Sequence, residues 1–109
     1  AAAAPTPGAV EAAAASELPP RLACEVSLRP LDLTAPEAAA VEEEVGALLA
    51  ARGARPSRLW WVLDGPGARV WAALEEAWAL GRARAPRVAL EATITANKSD
   101  WLRAEAAGA

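Results

Sequence analysis

Leu22, Cys24, Val26 and Leu28 alternate with Ala23, Glu25, Ser27 and Arg29, and no other feature restricts the possible folds of this chain as strongly. A period of two sends the first set to one side of an extended backbone and the second set to the other, which is the pattern of a half-buried strand. The alternation returns near the C-terminal end, where Val88, Leu90, Ala92, Ile94 and Ala96 are set against Arg87, Ala89, Glu91, Thr93, Thr95 and Asn97. Strands of a parallel sheet covered on both sides would read as continuous apolar runs. These do not, so the sheet is expected to be covered on one face only.

Helix signals separate the strands. Thr34, Ala35, Pro36 and Glu37 combine a hydroxyl cap, a proline in the first turn and an acid placed to reach back. The helix they start is expected to run to about Arg52, with Val41, Val45, Leu48 and Leu49 on its apolar stripe, Glu42 to Glu44 on its wet side and Gly53 as its stop. Residues 54–58 contain Pro56 and predict an edge strand or a turn. Leu59 to Asp64 predicts a firmer strand, with Leu59, Trp61 and Leu63 facing the core, closed by a turn over Asp64, Gly65, Pro66 and Gly67. A second helix is expected from Ala68 to Leu80, with Val70, Trp71, Leu74, Ala77 and Trp78 inward and Gly81 as its terminator. Ser99 is placed to cap a short terminal helix carrying Trp101 and Leu102. The order of elements predicts a ferredoxin-like α/β sandwich, an antiparallel sheet with two helices on one face.

Composition sets the size of the core. Ala supplies 32 of the 59 hydrophobic residues, leaving 27 apolar side chains larger than Ala. One small domain over residues 21–109 is the expected organisation. The Ala- and Pro-rich residues 1–20 hold only Val10 and Leu18 as larger apolar groups and are expected to form a disordered tail. The tail has no cationic start and no long apolar run, so neither a signal peptide nor a membrane span is expected there, although the absent initiator Met points to trimming. A cytoplasmic location follows as the default.

With no His and a single Cys24, a Ser/His/Asp triad, a Cys/His dyad, a Cys/His zinc site and an internal disulfide are all excluded. No metal or cofactor is expected, and Cys24 reads as a small core residue. A net charge of −3 with one Lys makes a poor binder of phosphate backbones, so nucleic acid is not an expected partner. The RNA-recognition fold shares this topology, but it stacks bases on aromatic residues of the first and third strands, and the first strand here has none.

If the first and last strands pair, their polar faces bring Glu25, Ser27 and Arg29 beside Glu91, Thr93, Thr95 and Asn97. The strand between the helices adds Trp60, Val62 and Asp64. Carboxylates, hydroxyls, an amide and an indole on one surface suit a flat cationic heterocycle, with the indole adding about 0.5–2 kcal/mol of cation–π attraction. An exposed Trp60 otherwise implies cover by a second subunit, and a one-residue shift of parity would exchange Trp60 with Trp61. Alternating Thr, Glu and Arg also mark an ordinary wet sheet face or a subunit contact. No nucleophile accompanies Glu25 and Glu91, so an enzymatic acid–base pair is not expected. Arg82, Arg84 and Arg87 surround a loop that either grips a phosphate or forms a solubilising edge.

The run from Ala23 to Leu31, the segment Trp61 to Pro66 leading into Val70 to Leu74, and the run Val88 to Ile94 resemble the YkoF-like thiamin and hydroxymethylpyrimidine-binding family. The resemblance spans about Arg21 to Asn97. It implies a ferredoxin-like unit that assembles sheet to sheet, as a homodimer or homotetramer, and holds a thiamin-type ligand without transforming it. On that reading Glu25 and Glu91 answer the charge and the ring nitrogens, Ser27, Thr93 and Asn97 supply hydrogen bonds, and Trp60 stacks. The hairpin between Gly53 and Gly65 is slightly short for the family, and Trp60 and Trp61 replace the small hydroxyl residues usual there.

Overall fold

The computed structural model describes residues 19–96. The expected tail, apart from Pro19 and Pro20, lies outside them, as do Asn97 and the Ser99-capped helix. The elements follow in the order β1 (Arg21–Leu31), α1 (Ala35–Ala51), β2 (Arg55–Ser57), β3 (Trp60–Pro66), α2 (Gly67–Arg84) and β4 (Arg87–Ala96). All pairings are antiparallel in the sheet order β2-β3-β1-β4, the ferredoxin-like arrangement. Among the described residues, no helix is long and apolar enough to cross a membrane.

The parity read from the sequence holds through β1 and β3. Leu22, Cys24, Val26 and Leu28 are buried beneath the helices with Leu63 of β3, Val41, Val45 and Leu49 of α1, and Val70, Ala73, Leu74 and Ala77 of α2. Burial pushes the Cys24 thiol up to about 11, aided by the neighbouring Glu25 charge, so it stays protonated at neutral pH. β2 is a three-residue edge strand in which Pro56, which has no N–H for a ladder, stands opposite Trp61. β1 pairs with β4 as far as Leu31↔Arg87, but its register with β3 ends at Val26↔Trp61.

Four expectations are corrected. Leu59 belongs to the β2–β3 connection and is 86% exposed instead of facing the core. Asp64, Gly65 and Pro66 form no turn; β1 pairs across them, Arg21 bonds to Asp64 at 3.0 Å, and the strand runs straight into α2. Gly81 does not end α2, which continues to Arg84. A Cβ at Gly81 would lie 2.9 Å from Leu28 Cδ1 and 3.1 Å from Val88 Cγ2, so the glycine lets the helix settle closely on β1 and β4. Trp78 is 40% exposed, on the flank of α2 away from the core. Trp71 is half-buried, packs against the core and donates its indole N–H to Glu75 at 2.8 Å.

The start and stop of α1 are as read. Thr34 Oγ1 accepts from the Glu37 backbone N–H at 3.4 Å, while Glu37 Oε1 accepts from the Thr34 backbone N–H at 3.0 Å and from its hydroxyl at 2.7 Å. Gly53 follows the helix with φ +92°, in the left-handed region. Replacement Thr34→Ala is expected to destabilise the fold by about 1 kcal/mol in urea titrations at neutral pH. The Thr34 side-chain and backbone hydrogen bonds hold the Glu37 carboxyl below its usual range. The unfolded chain therefore takes up that proton first as pH falls, and the contribution present above the usual carboxylate range is lost towards the depressed folded value. The stability gap between wild type and Thr34→Ala should accordingly narrow in acid; a gap that widens would contradict the cap as drawn.

Candidate functional site

Among the described residues the helices leave one sheet face open, and register determines what stands together on it. Glu25 lies directly across from Thr93 on β4 and Val62 on β3, and Ser27 lies across from Glu91. Glu25 and Glu91 are therefore diagonal neighbours on adjacent strands, a separation of about 7–8 Å between backbones. Trp61 pairs with the buried Val26, and its ring reaches the position where a Cβ on Gly46 of α1 would sit, 2.8 Å from Cζ2. That fixes Trp61 on the helix side and Trp60 on the open side. Of the residues singled out in the sequence, Glu25, Ser27, Trp60, Glu91 and Thr93 thus share one face, and Asn97 falls outside the described residues.

Among the described residues, two concavities stand out on this surface. The larger, about 470 Å³, opens where β1 continues beyond its pairing with β3, and wraps from the open face round the β2–β3 hairpin to α1. Ser27, Trp60 and Glu91 line it together with Glu42, Arg29 and Arg58. The smaller, about 250 Å³, is a shallow depression over Glu25, Val62, Thr93 and Thr95. The single surface read from the sequence is thus divided into a cleft and a platform.

The sequence pattern puts Glu42 on the wet side of its helix, and only the tertiary path of the hairpin past α1 brings it to the cleft. Arg29 lies 3.5 Å from Glu91 across the strands, so that carboxylate already has a cationic neighbour. Asp64, at the far end of the face, is taken by Arg21. Two of the three arginines near the α2–β4 loop are likewise engaged: Arg84 bonds to Glu44 of α1 through two nitrogens, and Arg87 bonds to Asp32 at 2.6 Å. Those two pairs tie helix to helix and loop to strand. Among the described residues, no group of three or more His, Cys, Asp or Glu side chains is placed to hold a metal ion.

The same fold occurs in solved structures of low sequence identity. Protein SP2199 from Streptococcus pneumoniae superposes with a TM-score of 0.67 at 18% identity, over 80% of this chain and 98% of that one. A Thermotoga maritima protein provisionally described as a thiamine biosynthesis/salvage protein gives 0.63 at 12% identity, over 72% and 85%. A domain of unknown function from Bacillus cereus, DUF77, gives 0.61 at 16%, over 72% and 78%. These likenesses show the ferredoxin-like fold. No family model and no curated protein matches the sequence.

Proposed function

We propose that this protein binds thiamin, its pyrimidine moiety or a similar small cationic heterocycle and releases it unchanged, with the site on the open sheet face at the boundary between copies of the chain. The observation that carries this reading is the cleft of about 470 Å³, in which Trp60 provides an aromatic wall and Glu42 and Glu91 provide negative charge. Its volume lies in the range of small-molecule sites, about 300–1,000 Å³. An indole face and a carboxylate together favour a flat cation, and the Ser27 hydroxyl can orient ring nitrogens. The platform over Glu25 and Thr93 extends the polar surface on which a second protomer would close the site, as a homodimer or homotetramer in the cytoplasm. The resemblance seen in the sequence and the thiamine description of one structural neighbour point to the same ligand class.

Isothermal titration with thiamin tests the reading. Heat of binding is expected, and Glu91→Ala should weaken it about tenfold or more, because hydrogen bonds to charged groups are worth about 1.5–3 kcal/mol. Absence of heat with thiamin and with the free pyrimidine, at concentrations up to about 1 mM, would remove the proposal.

A second reading is favoured by Leu59, whose exposed side chain crowns the hairpin beside Trp60. On that reading the face serves self-association alone. Light scattering would then report an oligomer whose tryptophan emission is indifferent to thiamin.

A further inference from the structure

We infer that the cleft is built for a ligand carrying an anionic group, such as a phosphate monoester, beside its cationic ring, and that Arg58 receives the anion. This rests on the binding role proposed for the same cleft.

Among the described residues, four charged side chains line the cavity, and their signs balance: Glu42 and Glu91 against Arg29 and Arg58. Arg29 and Glu91 face each other at 3.5 Å. Among the described residues, Arg58 makes no ion pair or side-chain hydrogen bond, and neither does Glu42. A purely cationic ligand would be attracted by two carboxylates and repelled by two guanidiniums. A ligand bearing both charges satisfies each group, and unmatched charge at a site is what discriminates between such ligands.

Arg58 is also held in an unusual way. Ser57 pairs with Trp60, leaving Arg58 and Leu59 as the whole connection between β2 and β3, and Arg58 takes φ +49° there. Residues other than Gly, Asn and Asp are uncommon in that region. The tight connection keeps Arg58 beside Trp60 at the lip of the cleft. A guanidinium presents a planar fork of donors that matches two phosphate oxygens at once.

The probes are thiamin and thiamin monophosphate, titrated calorimetrically into the wild-type protein and into Arg58→Gly. Glycine is at ease at positive φ, so this variant removes the guanidinium without straining the hairpin. The monophosphate is expected to bind wild type about tenfold more tightly than thiamin. Arg58→Gly should abolish that preference, so that it binds the two compounds with equal affinity, and added salt should shrink the preference in wild type. Equal affinity of wild type for the two compounds, or a preference that survives in Arg58→Gly, would overturn the inference and leave the thiamin reading standing. Failure of both compounds to bind wild type would overturn the two together.

Discussion

Leu49→Ala is expected to lower the free energy of unfolding by about 2–5 kcal/mol. Leu49 is 1% exposed and is among the largest fully buried side chains, with Val26 and Cys24. The core cluster to which it belongs includes Ala54, Ala73 and Ala77, whose methyl groups have no flexible extension with which to fill a void. A domain of this size has about 5–15 kcal/mol in total, so the variant should be largely unfolded at modest urea concentrations that leave wild type native. Urea titration followed by far-ultraviolet circular dichroism measures the loss. A change below about 1 kcal/mol would show that the core does not depend on this side chain.

Gly46→Val is expected to cost about 1–3 kcal/mol through overpacking. An added Cβ would stand 2.8 Å from Trp61 Cζ2, and an indole ring has no flexible end to turn aside. The ring has to move as a unit. Trp61 also lines the cleft, so its displacement should appear as an altered tryptophan emission spectrum along with the lost stability. Gly65→Ala is the matched control, since a Cβ there meets nothing within 4 Å, and it should fall within about 0.5 kcal/mol of wild type. Equal stability of the two variants would mean that the close approach of α1 to β3 has been misjudged.

Much of this architecture is legible in local patterns. The alternation around Val26 and around Leu90 determines which side chains share the open face, because strand periodicity depends on nothing distant. Thr34 and Glu37 specify their helix start through contacts only three residues apart. The misreadings come from tertiary context. Gly81 carries the composition of a helix stop, yet close packing on Leu28 and Val88 gives it an interior role. Asp64 to Pro66 has turn chemistry, which pairing with β1 overrides. Trp78 has the correct helical spacing but sits beyond the edge of the buried stripe, where its bulk finds partial cover only. Membership of the cleft was half visible: Ser27, Trp60 and Glu91 follow from strand parity, whereas Glu42 and Arg58 arrive through the crossing of a hairpin and a helix, for which the sequence carries no short-range sign.

β1 outlasts β3, so from Ser27 onward the flank of β1 turned to the cleft has no ladder partner among the described residues. Its peptide groups border that space, and only proline, which already stands at position 30, takes an N–H away from such a flank. Descendants of this chain could exchange Glu42, Trp60 or Glu91 and so change the lining of the cleft, while the course of the β1 backbone beside it persists. The character of that surface is thereby free to drift while the scaffold beneath it stays the same.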